Sequence, residues 1–155
     1  RYDQSFYNLA SEAIEQYDID SVFLPCDKSI YLENGIEVRC RILPRDQICE
    51  ITKKVYTKML DYDTIKDALC IRNPQAEDYM VIHKQGFHKK LSRVFIDAKI
   101  PRDMRSRMVL FADGQQVVWI PGVRMAENVK ISDATSRVLV LELKHTHDIQ
   151  GEEDG

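Results

Sequence analysis

The sequence predicts an α+β fold in which short strands joined by tight turns outnumber the helices. Three stretches carry that expectation. Glu33, Asn34 and Gly35 lie between two strand-like runs, and Asp113 and Gly114 lie between two more, where the Gly and Asn types supply the positive φ angles of a tight turn. Leu91, Val94, Phe95 and Ala98 recur at the i, i+3, i+4, i+7 spacing of a helix that buries one face. At 155 residues and 44% hydrophobic, the chain can bury a core as one domain or two small ones.

Taken in order, residues 2–17 space Phe6, Leu9, Ala10, Ala13 and Ile14 as an amphipathic helix, with Asp3, Glu12 and Glu15 on the other side. Residues 29–32 and 36–43 read as a β-hairpin, which Pro44 ends. Residues 55–60 and 68–72 read as short strands around Asp61 and Asp63, and 79–82 as another. From His88 a basic helix runs to the break at Pro101, which opens a second short helix presenting Arg102, Arg105 and Arg107 within about a turn of one another. Residues 108–111 and 116–120 form a second hairpin, and 137–144 a late strand. A boundary near Asn73 and Pro74 divides the chain into a connecting helix-and-hairpin module (1–72), a C-terminal α+β domain (73–147) and an acidic, disordered tail (148–155).

Charge is distributed unevenly. Between His83 and Arg107, eight cations (Lys84, Lys89, Lys90, Arg93, Lys99, Arg102, Arg105, Arg107) face two anions (Asp97, Asp103), a local net of +6 in a chain whose formal charge is −3. Residues 1–35 carry a net −5. A basic island inside an acidic chain points to a polyanionic partner. The cations recur on both helices of a helix-turn-helix-like pair, and guanidinium groups suit bidentate phosphate contact. Phe87 is the one aromatic interleaved with them, so recognition of backbone and shape in a folded RNA or duplex fits better than readout of single strands. A reading from a different class makes the chain a protein-interaction or homodimerisation module, with the island meeting the acidic head of a second copy.

Other chemistry finds little support. No phosphate-cradling Gly-x-x-x-x-Gly-Lys loop, dinucleotide fingerprint or nucleophile elbow occurs, so no catalytic residue is expected in this chain and no cofactor. His145, His147 and Asp148 have ligand chemistry but adjoin an acidic tail and read as a solvated terminus, so no metal site is expected. Asp61 with Asp63, and Glu77 with Asp78, read as turn chemistry, and Trp119 as a core aromatic. Cys26, Cys40, Cys49 and Cys70 form no Cys-x-x-Cys pair and read as reduced, mostly buried thiols. No apolar run approaches the roughly 18 residues of a membrane span and no leader pattern is present, which predicts a cytoplasmic protein. Because it starts at Arg1, with every methionine at position 59 or later, the chain reads as a piece of a longer protein.

From Tyr56 to Leu143 the chain resembles the C-terminal region of bacterial tRNA(Ile)-lysidine synthetase. The resemblance is carried by Leu60, Asp61, Tyr62 and Asp63; Ile71 and Arg72 followed by Asp78 and Tyr79; and His88, Lys89, Lys90 and Leu91. It continues through residues 95–101, Arg105 to Arg107, Leu110, Asp113 with Gly114, Trp119 to Gly122, and Arg124. It implies a parent ligase that uses ATP and magnesium to join lysine to the wobble cytidine of isoleucine tRNA, with the catalytic domain N-terminal to this chain and absent from it. It also implies a small β-rich sandwich with helices, similar to a domain of the phenylalanyl-tRNA synthetase β subunit, that grips the tRNA acceptor stem. Carried over, the RNA-facing cations are Arg72, Lys89, Lys90, Arg93, Arg102, Arg105 and Arg107, with Asp78 and Gly122 structural; Lys84 and Lys99 of the basic island complete the expected tRNA-binding set. Where many relatives run Arg-x-Arg-x-x-Gly-Asp from the position of Arg72, this chain has Pro74 and Glu77, losing one cation and gaining one anion.

Overall fold

The computed structural model describes residues 21–23, 28–31, 36–48 and 57–145. The amphipathic pattern at 2–17, the Asn34–Gly35 turn, the acidic head and tail, Cys26 and Cys49 lie outside the described residues. Among the described residues eleven strands and one α-helix follow in order: β1 (Ser21–Phe23), β2 (Lys28–Tyr31), β3 (Ile36–Pro44), β4 (Thr57–Asp61), β5 (Leu69–Arg72), β6 (Tyr79–Val81), β7 (His88–Lys90), α1 (Leu91–Asp97), β8 (Leu110–Asp113), β9 (Gln116–Ile120), β10 (Arg124–Met125) and β11 (Arg137–His145). The described residues are thus β-rich with few helices.

The strands form two sheets. In one the order is β2-β3-β11-β4, with β3 and β11 antiparallel along their whole length, from Pro44↔Arg137 to Ile36↔His145. In the other the order is β1-β5-β8-β9-β6-β7, with β10 added beside β9. Every pairing is antiparallel except β6 with β9, which a single register pair, Tyr79↔Gln116, joins in parallel. Strands from both sides of residue 72 take part in each sheet, since β11 lies between β3 and β4, and β5 pairs with β8.

A single core cluster draws on both sheets: Val38, Cys40, Leu60, Leu139 and Leu141 from one, Ile71, Met80, Phe111 and Trp119 from the other. Val138, Leu139, Val140 and Leu141 are all buried, without the alternation of a half-exposed strand, because β11 is an inner strand covered on both faces. Trp119 stacks on Phe111 with ring centroids 5.0 Å apart, as a core aromatic should. Its buried indole N–H has no hydrogen-bond partner among the described residues.

Turn chemistry follows the sequence closely where glycine is needed. Gly114 opens the two-residue β8–β9 turn at φ 64°, and Gly122 follows Pro121 at φ 76° in the turn closed by Val123 N–H to Ile120 O. Asp113 also holds a distant loop, accepting from the Lys66 and Asp67 backbone N–H groups at 2.7 and 3.0 Å. The helix α1 buries Leu91, Val94 and Phe95, as their spacing predicts. It ends in a Schellman arrangement: Lys99 N–H donates to Ile96 O, Ile100 N–H donates to Phe95 O, and Lys99 takes φ 60°.

The short helix expected behind Pro101 is present, as a 3₁₀ helix over residues 102–107. Two local expectations change. His88, Lys89 and Lys90 are an edge strand on β6 and not the first turn of a helix, because Tyr79, Met80 and Val81 offer them a ladder. The second change concerns Arg72. It is only 2% exposed, and its guanidinium donates to both Asp78 oxygens (2.7 and 2.8 Å), to Asn73 O and to Gly114 O (2.9 Å each). Burial works against the charge, but Asp78 outweighs it and holds the Arg72 pKa above its ordinary value.

Asp78 in turn accepts from Gln75 N–H at 2.7 Å, and its carbonyl accepts from Leu91 N–H, the first residue of α1. Removing one member of such a pair leaves the other charged and buried. Asp78→Asn is therefore expected to cost about 3–5 kcal/mol in urea unfolding; a loss below about 1 kcal/mol would show that the pair does not hold this corner.

Candidate nucleic-acid interface

Eight of the nine cations assigned from sequence reach the surface, and Arg72 does not. Lys84 projects from the turn between β6 and β7, Lys89 and Lys90 from β7, Arg93 from α1, Lys99 from the cap behind it, and Arg102, Arg105 and Arg107 from the 3₁₀ helix. Arg72 is a framework residue by its burial, which removes it from the outward-facing set.

These cations differ in how they are held. Lys89 Nζ lies 2.7 Å from Asp97 Oδ2, and Arg93 Nε lies 3.3 Å from Asp97 Oδ1, so one carboxylate balances two members of the island. The Lys89 hydrogen bond holds the Asp97 carboxyl below the usual carboxylate range, against the opposing effect of burial. Lys90, Lys99 and Arg102 have no ion pair among the described residues. Arg105 is half-buried, and its Nε–H donates to Ile100 O at 3.0 Å, which fixes the stem of the side chain and aims the guanidinium.

Lys90 and Arg105 come together on one cleft of about 260 Å³, with Ser92, Ser106, Pro74 and Phe95 among its walls. The sequence separates these groups by 15 positions; the fold joins them because Leu91 N–H bonds to Asp78 O at one end of α1, and the Schellman cap turns the chain back at the other. Pro74, one of the two departures from the family pattern, supplies apolar wall. Glu77, the other, is exposed. The cleft offers two cations and two hydroxyls over an apolar floor, a combination that receives a phosphate with an attached flat or apolar group.

A second, larger cleft, about 540 Å³, lies on another side of α1 between Asp97, Arg124, Glu127 and Lys130. Its cations are largely balanced: Arg124 and Lys130 both pair with Glu127, whose carboxyl the Lys130 hydrogen bond holds below its usual pKa. It is a poorer receptor for a polyanion. Among the described residues no cluster of three or more His, Cys, Asp or Glu side chains is arranged to hold a metal ion, and no helix is long and apolar enough to cross a membrane. Cys40 and Cys70 are buried, and burial pushes the Cys70 pKa up.

Sequence reasoning overlooked Asp97 as a modulator. Its signal was present, since Asp97 follows Arg93 by four residues on the same helix face. A carboxylate whose pKa is lowered by folding contributes stability above its unfolded pKa and loses it as pH falls through the folded value. The Asp97 contribution is therefore full at neutral pH and fades below the 3.8 of a free aspartate. Asp97→Asn should flatten that part of the acid limb. It should also tighten binding to a short duplex RNA at low salt by up to about fivefold, the scale of an exposed pair. Asp133→Asn, which makes the same charge change at an exposed site, is the control; equal effects from both variants would deny Asp97 a local role.

Known proteins match this chain in both sequence and fold. The family model of the TilS substrate C-terminal domain matches residues 69–142. The chain is 38% identical over 96 residues to the tRNA(Ile)-lysidine synthase of Caldanaerobacter subterraneus subsp. tengcongensis, covering 62% of this chain and 21% of that protein. It is 28% identical over 127 residues to the tRNA(Ile)-lysidine synthase of Dehalococcoides mccartyi, covering 77% and 27%. To the bifunctional protein TilS/HprT of Listeria monocytogenes it is 28% identical over 131 residues, covering 84% and 19%. The chain thus spans about a fifth to a quarter of the length of these relatives. The fold superposes on the crystal structure of a TilS C-terminal domain with a TM-score of 0.63 at 24% identity, covering 81% of this chain and 95% of that one. Residues 69–142 match the family model of the TilS substrate C-terminal domain, and the chain is similar to the C-terminal region of tRNA(Ile)-lysidine synthases.

Proposed function

We propose that this chain is the tRNA-gripping part of a tRNA(Ile)-lysidine synthase and carries no catalytic group of its own. The observation that carries the reading is the convergence of Lys90 and Arg105, from separate elements, on one cleft. Around it Lys84, Lys89, Arg93, Lys99, Arg102 and Arg107 extend the positive surface along the phosphates of an acceptor stem. The parent ligase would use ATP and magnesium in an N-terminal catalytic domain to attach lysine to the wobble cytidine of isoleucine tRNA, in the cytoplasm. In this division of roles residues 1–72 connect and residues 73–147 hold the tRNA. The likeness to a domain of the phenylalanyl-tRNA synthetase β subunit belongs to the same proposal and rests on sequence resemblance.

Physically, the grip is backbone recognition. Lysine and arginine heads that neutralise phosphates release condensed counterions, so affinity falls with salt, by very roughly 0.7–0.9 in log–log slope per phosphate contacted. Such contacts fix register and orientation without reading bases. Selection of the isoleucine acceptor would then lie in the rest of the enzyme.

Titration of the chain against folded isoleucine tRNA and a same-size tRNA of another specificity, at two salt concentrations, tests this. The expected result is salt-sensitive binding of similar strength for both. Lys90→Ala and Arg105→Ala should each weaken it and lower the salt slope by about one. No binding to either tRNA at low salt would overturn the reading, and sedimentation of a salt-sensitive dimer would favour the interaction-module alternative.

A further inference from the structure

The cleft shared by Lys90 and Arg105 carries more charge than one link of a nucleic-acid backbone matches. Its one carboxylate is already engaged: Asp78 Oδ2 accepts from Arg72 and from Gln75 N–H, and Asp78 Oδ1 accepts from Arg72. Arg72 and Asp78 therefore cancel, and the charges of Lys90 and Arg105 are left. Neither has an ion pair among the described residues. The larger cleft on the other side of α1 differs, because there Glu127 pairs with both Arg124 and Lys130. A phosphodiester brings one negative charge, whereas a phosphomonoester brings about 1.5 to 2 at neutral pH, spread over three acceptor oxygens.

The donors fit the same ligand. Arg105 Nε–H is taken by Ile100 O at 3.0 Å, which leaves the two Nη groups of the guanidinium for a ligand. Lys90 brings an ammonium with three donors, and Ser92 and Ser106 bring hydroxyls that rotate to suit an acceptor. Lys90 and Ser92 flank the first residue of α1, and Arg105 and Ser106 belong to the 3₁₀ helix of residues 102–107. Three terminal oxygens thus meet donors from two separate elements. A diester, with two, leaves part of the set unused.

The rest of the lining is mostly apolar. Pro74, Ala76, Leu91 and Phe95 contribute to a volume of about 260 Å³. That lies just under the roughly 300 Å³ at which small-molecule pockets begin, room for a phosphate with one sugar or ring and not for a run of backbone. A phosphate inside a strand is followed on both sides by further charged links, for which an apolar wall is a poor neighbour. A terminal phosphate has such a link on one side alone and leaves the wall to a sugar or base.

We propose that the cleft of Lys90 and Arg105 binds a terminal phosphomonoester carried on a nucleoside, in preference to an internal phosphodiester. Two sources offer that chemistry, the 5′-phosphorylated end of an RNA and a free nucleoside monophosphate. For an RNA end the inference rests on the tRNA-gripping reading and deepens it: the cleft holds the end of a strand, and the cations outside it lie along the backbone.

The test uses the full chain and one tRNA in two forms, ending in a 5′-phosphate or a 5′-hydroxyl, with adenosine 5′-monophosphate titrated separately. If the source is an RNA end, wild type binds the phosphorylated form about tenfold more tightly, the scale of a hydrogen bond to a charged group. Lys90→Ala should remove that preference and, because the side chain is exposed, should melt with wild type. Arg102→Ala removes an exposed cation outside the cleft lining; it should weaken both forms alike and keep the tenfold ratio. If the source is a free nucleotide, both tRNA forms bind equally, and the monophosphate binds wild type but not Lys90→Ala. Equal binding of the two tRNA forms with no binding of the monophosphate would overturn the proposal and leave the backbone grip standing. A preference for the phosphorylated tRNA that survives in both Lys90→Ala and Arg105→Ala would overturn it too, since the end is then held elsewhere. Failure of wild type to bind either tRNA at low salt would instead remove the reading on which the RNA-end source rests, and the monophosphate titration would then decide the cleft by itself.

Discussion

The buried pair of Arg72 and Asp78 is the constraint on which the rest of this structure depends. Arg72 ends β5, and its guanidinium satisfies Asp78, its own neighbour Asn73 and the Gly114 turn in four hydrogen bonds. Asp78 closes the loop from Gln75, and its carbonyl receives the first N–H of α1. One ion pair therefore fixes three things at once: the end of a core strand, the β8–β9 turn, and the point from which the helix departs. Desolvating two charges is costly, and only this degree of hydrogen bonding offsets it. What results is a fixed corner, and the cleft with Lys90 and Arg105 opens beside it, with Asp78 among its lining residues.

That corner sets a few cations of a rich surface apart from the rest. A tally along the sequence treats every lysine and arginine between His83 and Arg107 as equivalent. In the fold, Asp97 engages two of them, Arg105 is braced against Ile100 O, and Lys90 stands at the start of α1. Charge close to a rigid wall is worth more to a polyanion than the same charge on a mobile stem, since less side-chain entropy is lost on contact. The apolar floor of the cleft would add to the proposed grip a kind of contact that salt does not screen.

Much of the architecture was legible because it rests on local rules. The spacing of Leu91, Val94 and Phe95 specifies a buried helix face, and glycines at 114 and 122 mark turns that need positive φ. The two sheets were less legible, since the pairing of β11 with β3 spans about a hundred residues and no local pattern encodes it. His88 to Lys90 was misread as helix because a three-residue edge strand next to a helix start has no periodicity of its own; its partner, β6, decides it. Arg72 was expected to face RNA because the family resemblance carried it over, and its burial in the fold places it in the framework instead. The contrary signal was its place at the end of the apolar run Leu69, Cys70 and Ile71, with an aspartate six residues on.

The central claim is that tRNA lies along the face formed by β7, α1 and the 3₁₀ helix. Hydrogen exchange of the chain with and without tRNA tests it most directly, because protection maps the contact without altering any residue. The account predicts slowed exchange across residues 83–107 and little change in β3 and β11. Protection confined to β3 and β11, or none at tRNA concentrations that saturate binding, would contradict it.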